Sequence, residues 1–216
     1  MERSIKHACL ASERGAGLVI ALVVLVVMSL GAIALVKAVA SGLLASGNFA
    51  FRQAAVMAAD AGSEAAIAWL SARADTAEPF SDHPDVGYYA NMPTGLDLTG
   101  NRGASADATI DWDADDCAGR GGIVCMNAAP ALAPDPAGHV VSYVIHRLCR
   151  TSGSPDAASN SCLMFRSAQG GSSNRGQLSY GASTRFQTAD TVYYRITVQV
   201  RGPRNTTAFV QTLVHF

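Results

Sequence analysis

Hydrophobic and polar positions divide the chain into an apolar first part and a longer part in which short alternating stretches are separated by loops. Residues 16–36 carry no charged side chain, and Ser29 is their one polar residue. As a helix rising about 1.5 Å per residue they span about 31 Å, which matches the hydrocarbon core of a bilayer. The pattern therefore predicts a transmembrane helix over residues 16–36.

Helical composition continues beyond the apolar run as far as residue 74, because alanine is frequent there and favours helix. Gly42 and the Ser-Gly-Asn sequence at 46–48 predict a kink or a melted turn over 41–48, after which Asn48 caps the resumed helix. The predicted long helix covers residues 16–74, and its second half lies outside the membrane.

The remaining residues, 75–216, are predicted to form the globular domain. Prolines and glycines dominate residues 75–106, which predicts a long connecting loop with little regular structure. Alternation and β-branched or aromatic content predict strands at 108–112, 139–148, 192–201 and 206–216. The last two flank a Gly-Pro-Arg-Asn turn and predict a terminal hairpin. The fold class is therefore α+β, with one long, partly transmembrane N-terminal helix packed on an antiparallel β-sheet.

Composition and motifs narrow the classes of function. The chain has 16 Lys and Arg against 17 Asp and Glu, without the cation clusters that nucleic-acid binding requires, so no nucleic-acid partner is expected. Phosphate-loop, dinucleotide, nucleophile-elbow and zinc-protease motifs are absent from the sequence. The five histidines are dispersed along the chain: His7, His83, His139, His146 and His215. We therefore predict no enzymatic activity, no catalytic residue, no cofactor and no resident metal.

The acidic segment at 107–116 is a candidate calcium-binding site. The alternate aspartates from Asp111 to Asp115 copy the first half of an EF-hand loop. The motif then fails, because Asp116 stands where glycine is expected and Gly122 where the bidentate glutamate belongs. An irregular calcium site and a solvated polar turn remain the two interpretations.

The sequence in front of the apolar run is short and cationic and ends in Gly15, whereas Lys37 is the lone cation directly after the run. This bias favours a cytoplasmic N-terminus and an exported C-terminal part. Three interpretations compete for the segment: a cleavable secretory signal with a site at 38–40, a plain membrane anchor, and a leader that is cut after Gly15 so that the helix is retained.

The third interpretation is similar to a class III prepilin leader. Residues 13–70 resemble the N-terminal region of PilX-type minor pilins of type IV pili, through RGAGLVIALVVLVVMSL, GNFAFRQAA at 47–55 and AADAGSEAAIAWL at 58–70. The resemblance implies that residues 1–15 are a prepilin leader, that Gly15 precedes the scissile bond, and that Ala16 becomes an N-methylated N-terminus.

By the same resemblance, the protein is a single-pass protein of the bacterial inner membrane that later enters the pilus at the cell surface. Its implied partners are membrane lipid, the prepilin peptidase, the assembly machinery, and other minor and major pilins that it meets through the N-terminal helix. Its implied roles are priming of assembly, twitching motility, adhesion or DNA uptake. The alternatives are a type II secretion pseudopilin and a membrane-anchored periplasmic binding or adhesion domain outside any filament.

One position departs from the major-pilin pattern, which has glutamate at the fifth mature residue. That position is Ile20 in this chain. A glutamate within a bilayer is costly and needs a partner, whereas isoleucine needs none. Because minor pilins of this type and the tip subunit of type II pseudopili commonly lack the acid, the departure suggests a place at or near a filament tip.

An exported domain also changes what the five cysteines mean. Cys9 would leave with the leader, and the remaining four fit two disulfides: Cys117, Cys125, Cys149 and Cys162. Four cysteines allow three pairings, of which closeness in sequence favours 117 with 125 and 149 with 162. A four-cysteine zinc site is the alternative, although the chain has no C-x₂₋₄-C pair.

Overall fold

A computed structural model of the chain describes residues 16–101, 106–119, 121–165 and 191–216. The chain forms two compact units, Met1–Ala50 and Phe51–Phe216, which we call the first and the second unit. The described part of the first unit belongs to a single helix, which continues into the second unit. Every strand of the described residues lies in the second unit.

Helix α1 runs from Ala16 to Ser71 without interruption. The predicted melted turn over 41–48 is therefore wrong, and Asn48 lies inside the helix rather than at a cap. Each glycine costs an isolated helix only about 1 kcal/mol relative to alanine, which the surrounding alanine and leucine residues offset. The Ser41 hydroxyl bonds to the Ala38 carbonyl one turn earlier, at 3.0 Å, so it does not compete for the backbone of the next turn.

The last part of α1 buries one narrow face in the second unit. The residues of this face recur every three or four positions, as a helix requires: Ala55, Ala59, Gly62, Ala66 and Leu70. Small residues bring the helix close to the sheet. A Cβ atom added to Gly62 would lie 2.7 Å from Cγ1 of Val198, so this position has no room for a side chain.

The strands of the second unit are short at first and long at the end. They are β1 Tyr88–Tyr89, β2 Leu96–Asp97, β3 Ala108–Asp111, β4 Val124–Asn127, β5 Val140–Arg147, β6 Met164–Phe165, β7 Thr191–Gly202 and β8 Thr206–His215. All four predicted strands are present, as β3, β5, β7 and β8. The predicted turn also forms, at Pro203–Asn205 between β7 and β8, and its residues Arg204 and Asn205 have positive φ angles.

Two sheets result, and together they are mixed rather than antiparallel. In the main sheet β5, β6 and β8 are antiparallel to β7, but β1 is parallel to β5. The second sheet, β2-β3-β4, is entirely parallel. The antiparallel prediction is thus wrong for β1 to β4. Tight hairpins such as the one before β8 force neighbours to be antiparallel, whereas longer connections let the chain return and run in the same direction.

The central strands β5 and β7 of the main sheet are buried on both faces. Alternate side chains of β5 and β7 pack with α1 on one face, including Ile145, Ile196 and Val198. On the other face Val144 packs with residues of the second sheet, such as Ile110 and Met126. The order of layers is therefore helix, main sheet, second sheet.

The segment predicted as a loop of little regular structure, 75–106, is part of this core as far as it is described. It contains two 3₁₀ turns, Glu78–Phe80 and Pro84–Val86, and the strands β1 and β2. The side chain of Tyr88 is fully buried, and its hydroxyl donates to the Pro79 carbonyl at 2.6 Å. Burial raises the pKa of this hydroxyl far above its usual range.

Candidate functional site

The first part of α1 is an exposed apolar surface. By length and composition the helix is able to cross a membrane, and no residue of its most apolar stretch is buried. Ile20, the fifth residue of the helix, is 64% exposed. Exposed apolar surface is unfavourable in water by about 25 cal/mol per Å², so a helix of this kind needs lipid or protein around it.

The hydroxyls of Ser29 and Ser41, in the exposed first part of α1, both bond inside the helix. The Ser29 hydroxyl donates to the Val26 carbonyl at 2.9 Å, and Ser41 repeats this bond to Ala38. Hydroxyls that bond to their own helix leave no unpaired donor facing the surroundings. This is the arrangement that a lipid environment requires of polar groups.

The predicted cleavage site lies at the edge of the described chain. Residues 1–15, including Gly15 and Cys9, are outside the described residues, and Ala16 is the first residue of α1. Cleavage after Gly15 stays a prediction of the sequence.

The four remaining cysteines form two disulfides. Cys117 is bonded to Cys125, and Cys149 is bonded to Cys162. These are the pairs that closeness in sequence favours. The second bond closes a loop whose ends are also held by the Leu163 amide, which donates to the Leu148 carbonyl at 2.8 Å.

The acidic segment forms a turn that is organised by its own first carboxylate. The two oxygens of Asp111 accept the backbone amides of Asp115 at 3.1 Å and Asp116 at 2.8 Å. Asp113 forms an ion pair with Arg201 at 2.5 Å. In the part of the chain that the structure describes, no group of three or more histidine, cysteine or acidic side chains is arranged to hold a metal ion.

The described histidines have separate neighbours and do not form a site together. The His139 amide and ring bond to Asp135, the ring at 2.7 Å, and these hydrogen bonds lower the pKa of that carboxyl. His146 is fully buried and stacks on Tyr89, with 5.5 Å between ring centroids. Burial, followed by the positive charge of Arg195, lowers the pKa of His146 to about 3, so its ring is neutral at physiological pH.

Two cavities beside the acidic turn were missed by sequence reasoning. They have volumes of about 520 Å³ and about 140 Å³ and share the lining residues Asp111, Trp112 and Asp113. Ser142 lines the larger cavity and Gln199 the smaller. The sequence does contain a signal for them, because Ser142 and Gln199 are polar residues at core-facing positions of predicted strands. The two strands are far apart in sequence, however, so the sequence does not show that these residues are neighbours.

Comparison with known proteins does not assign the chain to a family. The chain has a long apolar N-terminal helix, a mixed α+β fold and two disulfides. No protein-family model, curated protein or solved structure matches it.

Proposed function

We propose that this protein is a minor pilin, a structural subunit that helps to assemble a type IV pilus and is not an enzyme. In this proposal the chain is held in the bacterial inner membrane with its N-terminus in the cytoplasm and is cut after Gly15 by the prepilin peptidase. The assembly machinery then inserts it by α1 into a filament that reaches the cell surface. Its partners there are other minor and major pilins, and the filament supports motility or adhesion.

The observation that carries the proposal is the continuity of α1. Its first part is apolar and exposed, and the same helix then buries a face of small residues in the second unit. A signal peptide that is removed would not need this continuity. A helix that is covered first by lipid and then by neighbouring helices needs both an apolar surface and small residues that allow close approach.

The absence of an acid at position 20 supports a place near the filament tip. Ile20 has no group that could pair with the N-terminal amine of a neighbouring subunit. A terminal subunit has no neighbour on one side and does not need such a pair. The helix-based pseudopilus of type II secretion has the same requirement and is the nearest alternative assembly.

Processing of a Gly15→Ala variant tests the proposal. In cells that contain the peptidase, we expect this variant to keep its leader and to migrate more slowly on a gel than the wild type. Gly17→Ala is the matched control, because it makes the same change two residues later and should be processed normally. Equal mobility of Gly15→Ala and wild type would count against a pilin.

A further inference from the structure

Strand β8 is a long edge of the main sheet. Among the described strands it pairs with β7 alone, through ten consecutive residue pairs. The other outer strands of the two sheets, β1, β2, β4 and β6, are only two to four residues long. A long edge presents a row of unpaired backbone amides and carbonyls, which is a template for pairing with another strand.

The register with β7 shows which backbone groups of β8 point outward. The Phe216 amide donates to the Val192 carbonyl at 3.4 Å, and the Val192 amide donates to the Phe216 carbonyl at 3.2 Å. In an antiparallel pair such doubly bonded positions recur at every second residue. The even-numbered residues of β8 therefore bond to β7, and the odd-numbered residues form an outward row: Thr207, Phe209, Gln211, Leu213 and His215.

Strand β8 lacks the features that protect natural sheet edges from pairing. These features are charged side chains, prolines and bulges. Residues 206–214 contain no charged residue and no proline, and the register with β7 is continuous. On the outward row, Leu213 is 60% exposed. A long, uncharged and partly apolar edge indicates a second strand as its partner.

The sequence of β8 fits a second copy of itself. In an antiparallel pair centred on Gln211, every outward residue lies opposite another outward residue, as the hydrogen-bond pattern requires. Gln211 then lies opposite Gln211 of the second copy, Phe209 opposite Leu213, and Thr207 opposite His215. Polar side chains meet polar ones, apolar side chains meet apolar ones, and no like charges are opposed.

From this arrangement we propose that the outer edge of β8 pairs with β8 of a second copy, antiparallel and centred on Gln211, so that the two main sheets become one continuous sheet. The pairing uses the one long edge of each described sheet, so it closes as a two-fold dimer. It does not depend on the pilin proposal, because it uses only residues of the second unit.

The symmetry of the pair also defines how the two copies meet. The two-fold axis is perpendicular to the joined sheet, so the parts of α1 that pack on the two sheets lie on the same face and run in opposite directions. The contact therefore suits chains that approach from opposite directions rather than neighbours within one filament.

Sedimentation equilibrium of the full chain in density-matched detergent tests the proposal at Gln211, where the symmetry places a side chain opposite itself. This residue is exposed, so a change there does not disturb the core. Gln211→Lys and Gln211→Glu should each raise the dimer dissociation constant at least about tenfold, because like charges meet. An equimolar mixture of the two variants should restore the constant to within about threefold of the wild type, because opposite charges meet.

The mixture also shows that both variants fold, and Ser159→Lys is the matched control. It introduces the same charge at an exposed loop position and should leave the dissociation constant unchanged. A monomeric wild type, or open-ended assemblies instead of dimers, would overturn the proposal. Equal dimerisation of wild type and Gln211→Lys would place the contact elsewhere and would also overturn it, as would a mixture that stays dissociated.

A second pair of variants tests the backbone contribution. Gln211→Pro removes an amide that points away from β7, so the pairing of β7 with β8 is retained. It should raise the dissociation constant at least about tenfold, because the outward hydrogen bonds at the centre of the pair are lost. Gln211→Ala keeps the amide and should change the constant less than about threefold. Equal effects of proline and alanine would contradict strand pairing.

Discussion

Replacement of His146 by phenylalanine is expected to remove an acid-induced loss of stability. The imidazole of His146 has no exposed surface, and neither ring nitrogen has a hydrogen-bond partner among the described residues. Its pKa is lowered to about 3 in the folded protein, first by burial and then by the charge of Arg195. In the unfolded chain the ring returns to water and to a pKa near 6.5.

The sign of the effect follows from these two values. Between pH 6.5 and pH 3 the unfolded chain binds a proton at this position and the folded chain does not, so stability falls as the pH is lowered. From pH 7.5 to pH 5.0 the loss is about 2 kcal/mol, a factor of about 30 in the unfolding equilibrium. The folded-state pKa lies well below 5, so the magnitude is determined by the unfolded chain.

Denaturant unfolding of the full chain in detergent measures this loss. Trp69 and Trp112 both lie in the second unit and report its unfolding by fluorescence. The wild type and His146→Phe are compared at pH 7.5 and pH 5.0, and every other group titrates in both. The difference between their pH-induced changes should be about 2 kcal/mol. His215→Gln, which changes an exposed histidine, should behave as the wild type does. Equal pH dependence of wild type and His146→Phe would refute the reasoning.

Three further predictions concern Gly62, the second disulfide and Ile20. Gly62→Ala should lower the free energy of unfolding by about 1–3 kcal/mol in denaturant titration, because its Cβ would overlap the stiff side chain of Val198; unchanged stability would show that the helix moves away freely. The double change Cys149→Ser and Cys162→Ser opens a loop with a sequence separation of 13 and should cost about 3 kcal/mol in the same assay. Ile20→Glu should reduce assembly and tip placement in pili examined by immunogold labelling, whereas an even distribution along pili with normal assembly would contradict the tip proposal.

The elements that could be predicted are those whose signals are local. The apolar run and the alanine-rich sequence define α1, and alternation around a glycine-proline turn defines the terminal hairpin of β7 and β8. The predicted break at 41–48 was wrong because glycine lowers helix stability only slightly when its neighbours favour helix. Propensity alone does not end a helix that lacks proline.

The second sheet could not be predicted because, of its three strands, only β3 has a local signature, and β2 and β4 have none. Strands β2 to β4 have two to four residues each and exist through pairing with one another. The same limit applies to the candidate site. The alternate spacing of the aspartates singled out the acidic segment in the sequence. The position of Ser142 opposite Gln199 depends instead on strand register, which is determined by the packing of the whole domain.

The central claim is that the apolar helix remains part of the mature protein. N-terminal sequencing of the protein purified from membranes, combined with mass spectrometry of its first peptide, tests this claim most directly. A mature chain that begins with N-methylated Ala16 is the result that the account predicts. A mature chain that begins at Ser41, without the apolar segment, would contradict it.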